Sequence, residues 1–303
     1  MKRTRRVLYT CRFILGLCLL VCSCQQKGAK VQEQLVLQDD LGRELKLNKK
    51  PERVFSFASS MTEMLFAVLD TSTIIARSPQ DDYPAAAALK KPTVQNYPVD
   101  YEQVLALKPD LIFTVEGITP LEVAERLQEL GVPVYYQKYR SVEDIFTGLE
   151  DIGRIMGREE QAKQLTDSLR QEVGILKQRH EGQKQTPQRV LAITWTDPIY
   201  VHGQNTIFTG KLNILGAENA VQEVFDQPYP ALTREYILKL NPDVLLGGTK
   251  EEMEEKFFSL YPELRRINAY QNNRIYKATD DLMSRPGPRV VESLRELEGI
   301  LYP

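Results

Sequence analysis

The chain has 303 residues, 42% of them hydrophobic, and a formal net charge of −2, enough length for one or two cores. Its first 23 residues hold five cations and no acid, so the remainder carries about −7, which argues against nucleic acid or an anionic lipid surface as partner. With only His180 and His202, and all four cysteines at or before position 24, a three-histidine metal site, disulfides and cysteine nucleophiles are excluded from the body.

Lys2, Arg3, Arg5, Arg6 and Arg12 lead into the apolar run 13–21, which is too short for an ordinary membrane-spanning helix. It reads as a secretory signal, with an uncleaved anchor as the alternative. Val21-Cys22-Ser23-Cys24 resembles the lipobox of bacterial lipoproteins, which implies that Cys24 becomes the lipid-modified N-terminus. Residues 25–32 are a polar tether, and an exported body without disulfides must stand on its packing.

Next come two alternating segments, Leu35 and Leu37 then Leu45 and Leu47, around Gly42, which predict a β-hairpin on the first lobe. From Pro51 the pattern predicts a strand at 54–57, a helix at 60–69, a strand at 73–76 and a Pro-rich loop at 78–98. A short helix from Tyr101, a strand at 111–115, a helix at 120–130 and a strand at 132–136 follow. Alternation of strand and helix means parallel βαβ crossovers.

Over 142–180 helical spacing continues with no strand: Ile145, Leu149, Ile152 and Met156, then Ala162, Leu165, Leu169, Val173 and Leu176, divided at Gly157. The second helix, about 30 Å long, is a stiff strut ended by 182–187. Strand and helix then alternate again: a strand at 189–195, a helix at 210–215, the repeated helix and strand over 233–246, a helix at 250–260, a strand at 274–276, and a last helix from Pro286 and Pro288, which suit a first helical turn, to Leu301. The expected domains are a leader at 1–23, tether and hairpin at 24–50, an α/β lobe at 51–141, connecting helices at 142–186 and a second lobe at 187–303. Such an architecture leaves a cleft, and ligand sites favour such boundaries.

One segment occurs twice. Glu102, Leu105, Leu107, Pro109 and Asp110 return as Glu235, Leu238, Leu240, Pro242 and Asp243, each 133 residues on, and each copy runs into an apolar strand. Two copies so far apart describe two similar lobes, not a solenoid.

The lipobox, the repeat and the long connecting helix, with the phrases 54–69, Asp82-Tyr83-Pro84, Leu130-Gly131-Val132-Pro133, 213–217 and Arg285-Pro286-Gly287-Pro288-Arg289, resemble the class III binding proteins of ABC importers for cobalamin, ferric siderophores and haem. The resemblance covers the whole body and implies two Rossmann-like α/β lobes with central parallel sheets, joined by one long rigid helix. It implies non-covalent capture of a ligand between the lobes by a lipid-anchored monomer, and delivery to a permease dimer with its ATPase subunits. Asp82-Tyr83-Pro84, Tyr229-Pro230 and 279–285 are most like the cobalamin-binding members, whereas the hairpin phrase 39–43 is commoner in siderophore-type members.

The candidate residues each carry a plainer alternative. Glu102 and Glu235, at the second position of helices capped by Asp100 and Thr233, stabilise the helix dipole or, as the resemblance implies, meet permease arginines. The resemblance places Tyr97, Trp195, Tyr200 and Tyr229 on the cleft, where flat side chains would cover a corrin ring or aromatic siderophore; otherwise they are ordinary core or surface aromatics. Asp281 and Arg285, four apart in a loop, touch amide or phosphate groups of the ligand, as the resemblance to the cobalamin type implies, or form a local ion pair; in a siderophore binder Arg285 would instead bind catecholate or carboxylate oxygens. His202 is a solvent-facing loop histidine or a ligand to a haem or cobalamin metal; His180 is structural, and Glu63 simply opens its helix. A two-lobed enzyme or an adhesin are the readings of another class, and no Gly-rich phosphate loop, HExxH or Gly-x-Ser-x-Gly supports an enzyme.

Overall fold

The computed structural model describes residues 35–181 and 186–303; the leader, Cys24 and the tether lie outside the described residues. The hairpin is β1 (Leu35–Gln38) and β2 (Glu44–Leu47), paired antiparallel, with Leu37 and Leu45 buried. Arg43 ties it to the first sheet, reaching the Val134 carbonyl at 2.5 Å and lying 4.6 Å over the Tyr136 ring.

The first lobe comprises β3 (Val54–Ser56), α1 (Ser59–Val68), α2 (Ala85–Ala88), α3 (Tyr101–Leu107), β4 (Leu111–Val115), α4 (Leu121–Glu129) and β5 (Val134–Gln137). Its sheet is parallel throughout, in the order β3-β4-β5. The strand expected at 73–76 is instead a pair of single bridges, Val54 to Ile74 and Arg77 to Thr93. There the Arg77 guanidinium gathers the carbonyls of Lys90, Ser78 and Pro79 and folds the chain into a loop.

Two helices follow, α5 (Val142–Met156) and α6 (Glu159–His180). Ser141 and Asp144 form a capping box at the start of α5, and Gly157 closes it at φ +60°. The 22 residues of α6 extend about 33 Å at helical rise.

The second lobe comprises β6 (Arg189–Thr196), β7 (Ile199–Val201), α7 (Ile207–Ile214), β8 (Glu218–Asn219), β9 (Ala231–Leu232), α8 (Arg234–Leu240), β10 (Val244–Leu246), α9 (Lys250–Lys256), a 3-10 turn (Pro262–Arg266), α10 (Asn268–Gln271), β11 (Ile275–Tyr276), α11 (Asp280–Ser284) and α12 (Val290–Leu301). Its sheet, in the order β11-β10-β6-β7-β9, is mixed. The first three strands are parallel; β7 runs antiparallel to β6 because the Asp197-Pro198 link is too short for a crossover, and β9 pairs antiparallel with β7. Pro286 and Pro288 precede the last helix, which starts at Val290, and Asp281 sits on the short helix α11 and not in a loop.

Successive strand residues feed different cores, as the period of two requires. Val54, Leu111, Val190 and Val244 join one central core with α5, α6 and α12, while Phe55, Ile112, Leu191 and Leu245 enter the outer core of their own lobe. The lobes therefore share their inner packing with the connecting helices. That shared core opposes large hinge motion.

Candidate functional site

The carboxyl ends of the first-lobe strands face loops of the second lobe across a cavity of about 440 Å³. Phe57, Asn96, Val115 and Tyr139 stand on one side, and Asn205, Tyr229 and Arg285 on the other. Tyr139 is set by its neighbours: its hydroxyl donates to Gln137, whose amide donates to the Gly148 carbonyl at 3.0 Å. A Cβ at Gly148 would lie 2.8 Å from that hydroxyl, so only glycine leaves the ring in place. The loop carrying Tyr229 is seated on Gly203, whose N–H donates to the Pro228 carbonyl at 2.9 Å and where a Cβ would meet that oxygen at 3.0 Å.

Beside the cavity, motifs more than 200 residues apart in sequence meet. Glu63 of α1, with 1% of its side chain exposed, receives Arg289 through two hydrogen bonds of 2.8 and 2.6 Å and Arg285 at 3.1 Å. Arg285 also pairs with Asp82 at 2.8 Å and with Asp281 at 3.0 Å, and the Arg289 guanidinium lies 4.1 Å over the Tyr83 ring. The bond from Arg285 holds the Asp82 carboxyl below its usual range, whereas burial lifts that of Asp281 despite the same arginine. Arg140, the other cation on the cavity, is paired with Glu116.

Behind this cluster Lys211 is fully buried and donates to the carbonyls of Leu282 and Met283, 2.5 and 3.3 Å away, at the end of α11. A cation there satisfies terminal carbonyls and complements the helix dipole. Burial, helped by Arg289, pushes its pKa down to about 7.

A family model described as periplasmic binding protein matches residues 54–282. The chain belongs to the periplasmic binding protein family. Similar relatives include YvrC of Bacillus subtilis (strain 168), an uncharacterised ABC transporter substrate-binding lipoprotein, 27% identical over 288 residues that cover 92% of this chain and 90% of the relative. The vitamin B12-binding protein of Pectobacterium carotovorum subsp. carotovorum (strain PC1) is 28% identical over 248 residues, covering 82% and 87%. Among solved structures, a possible iron-binding (periplasmic solute-binding) protein from Staphylococcus epidermidis ATCC 12228 superposes with a TM-score of 0.73 at 30% identity, over 84% of this chain and 100% of that one. The coarse reading from the sequence, a bilobal substrate-binding protein of the transport type and not an enzyme, stands at the level of this family.

In this periplasmic binding protein the residues singled out from sequence fall into three groups. Tyr229 and Arg285 line the cavity, and Asp281 reaches it only through Arg285. Tyr97, 76% exposed, adjoins the lining residue Asn96; Trp195, 64% exposed, faces Tyr200 across the β6–β7 pair and donates its indole N–H to the Asp197 carbonyl at 2.9 Å. Glu102 and Glu235 follow Tyr97 and Tyr229 closely in the chain and lie on the exposed first turns of α3 and α8.

Two expectations about side chains are corrected. Glu63 does more than open a helix, since it is the buried anion joining both arginines. The signal was an acid inside the apolar phrase 61–65. His202 is not solvent-facing: it is 4% exposed, its ring 4.9 Å from Phe208 and 5.2 Å from Tyr229, because β7 carries it under the Tyr229 loop. His180, read as structural, bonds Glu298 at 2.9 Å and stacks on Tyr302 at 4.4 Å, fastening α6 to α12. Asp82 and Arg289 sat in the quoted motifs, but nothing local named them as partners. Among the described residues no cluster of three or more His, Cys, Asp or Glu is arranged to hold a metal ion, and no helix is long and apolar enough to cross a membrane.

Proposed function

We propose that the chain is the substrate-binding lipoprotein of an ABC importer and that its ligand is cobalamin or a related corrinoid, held between the lobes. The observation that carries this reading is the state of the cleft's cations. Arg285 is engaged by Glu63, Asp82 and Asp281, and Arg140 by Glu116. What remains toward the cavity is neutral: Asn96, Asn205, Ser59 and Gln80 with Phe57, Tyr139 and Tyr229.

A corrinoid presents a broad apolar ring edged with neutral amides, which suits carboxamide and hydroxyl partners. Haem carries propionates and ferric siderophores are commonly anionic, and both call for free arginine or lysine. On this reading Tyr229 and Tyr139 cover the ring, Tyr97, Trp195 and Tyr200 extend the contact on to the rim, and Asp281 with Arg285 touches the ligand's edge. A lipid on Cys24 would keep the protein at the membrane, and Glu102 and Glu235 would meet the permease subunits, one from each lobe. The iron-complex reading is supported by the likeness to the Staphylococcus protein.

Calorimetric titration with cyanocobalamin, haem and several ferric siderophores separates the two. Saturable heat with cyanocobalamin alone is expected, and its absence alongside binding of an iron complex would move the ligand to the second reading.

A further inference from the structure

Parallel sheets take ligands beyond the carboxyl ends of their strands, and in the first lobe that end carries charge. The register sets Val115 beside Gln137, so Glu116 and Lys138 leave their strands side by side, and the Glu116 N–H donates to the Gln137 carbonyl at 2.9 Å. The Glu116 carboxylate takes Arg140 in an ion pair and Lys138 at 3.5 Å. Glu116 and Arg140 both line the cleft.

This acid differs from the carboxylates that hold the fold. Asp39, Asp110 and Asp243 accept backbone N–H groups, whereas among the described residues the Glu116 carboxylate accepts from its two cations alone. The position 133 residues further on is Thr249, a helix cap, so Glu116 is no part of the duplicated skeleton. Its partner is also singly held. Arg285 across the cavity has three carboxylates, and loss of any one leaves two; among the described residues Arg140 has Glu116 only.

We propose that Glu116 is a specificity-determining residue: its carboxylate fills a two-cation anion site on the first-lobe wall and thereby turns away ligands that carry carboxylates at that edge. Arg140 offers a planar fork matched to a carboxylate, and Lys138 adds a second charge. Glu116 occupies that place from the same wall, so an incoming carboxylate meets a like charge and must separate it from both cations. A neutral amide meets no such opposition. The inference rests on the cleft being the ligand site; it deepens the corrinoid reading without requiring it.

The probes are cyanocobalamin, edged with amides, and dicyanocobyrinic acid, a corrin edged with carboxylates, each titrated into the purified full chain, with haem as a carboxylate ligand built on another ring. In Glu116→Gln the preference for dicyanocobyrinic acid over cyanocobalamin should rise about tenfold, the scale of one hydrogen bond to a charged group, and high salt should erase the gain. Glu116→Ala should show the same rise, and adding Arg140→Gln and Lys138→Gln to Glu116→Gln should remove it. Glu129→Gln, which breaks an exposed pair with Arg126 outside the cleft lining, should give none. Damage to the fold would weaken both corrins together and leave their ratio fixed. A ratio unchanged in both Glu116 variants, an equal rise in Glu129→Gln, or a rise that survives loss of both cations overturns the proposal. If the chain binds cyanocobalamin and the ratio stays fixed, the corrinoid reading stands and the proposal falls. If it binds haem and neither corrin, the corrinoid reading falls. The proposal is then decided by haem alone, which should tighten about tenfold in Glu116→Gln and slacken again without Arg140 and Lys138; an unchanged haem affinity overturns it.

Discussion

The two copies of the repeat have kept one backbone arrangement and acquired different surroundings. In the first, Asp100 caps α3 and Lys108 ends it at φ 50°; in the second, Thr233 caps α8 and Asn241 ends it at φ 44°. Each then places an aspartate under the start of the neighbouring strand: Asp110 accepts the N–H of Arg53, and Asp243 that of Arg189, both at 3.0 Å. Around that skeleton the first sheet stays parallel, whereas the second gains the β7–β9 extension and with it Trp195, Tyr200, His202 and the Tyr229 loop. Duplication preserved the groups that satisfy buried or terminal backbone atoms, and the candidate ligand chemistry sits in what was added. The outer faces differ too, since Glu235 pairs with Arg234 at 3.0 Å while Glu102 forms no ion pair among the described residues.

Several measurements would break or sharpen this contrast. The largest effect is expected where the halves join: Glu63→Ala takes from the largely buried Arg289 its paired carboxylate and leaves Arg285 only Asp82 and Asp281, a loss of about 3–5 kcal/mol in urea unfolding. A loss below 1 kcal/mol, within the range of a surface pair, would show that the cluster does not bind the lobes together. Next, Asp110→Ala and Asp243→Ala should each lose roughly 1.5–3 kcal/mol, the worth of hydrogen bonds to a charged acceptor, and a large inequality between them would deny their equivalence.

The second lobe should add a pH effect of its own through His202. The folded-state pKa of His202 is lowered from 6.5 to about 3, so between those values the unfolded chain binds a proton that the folded chain does not. Stability is then lost as pH falls below 6.5, by about 1.4 kcal/mol per pH unit, and the loss ends near the lower value. Subtracting the profile of His202→Phe isolates this slope; identical profiles would mean that the imidazole is solvated. Cap removal, Asp100→Ala or Thr233→Ala, should cost about 1 kcal/mol each. The smallest effect on the isolated protein is expected from Glu102→Ala with Glu235→Ala, which should leave ligand affinity unchanged and reduce uptake in cells, whereas loss of ligand binding would contradict a docking role.

What the sequence revealed follows from the range of the interactions. The repeat, both N-caps and the Gly157 break are local, each decided within a few residues, and all could be read directly. The strand at 73–76 shrank to a bridge because it meets β3 only at Val54, which bonds Thr73 and Ile75, an extent set by tertiary placement that propensity does not contain. Glu63 was passed over because its arginines lie 222 and 226 positions away. His202 was misplaced because its burial depends on Phe208 and Tyr229, which reach it from separate segments. Cleft aromatics could be named as a class, but the bulge at Thr194, which sets where Trp195 points, left no mark in the pattern.

The central claim is that a cleft whose arginines are already occupied by carboxylates takes a neutral, amide-edged ligand. Affinity for cyanocobalamin measured at low and at high salt tests it most directly, because contacts that depend on free charge are screened and neutral ones are not. The account predicts saturable binding that barely changes with salt. Absence of cyanocobalamin binding, together with tight, salt-sensitive binding of haem or an anionic ferric siderophore, would contradict it.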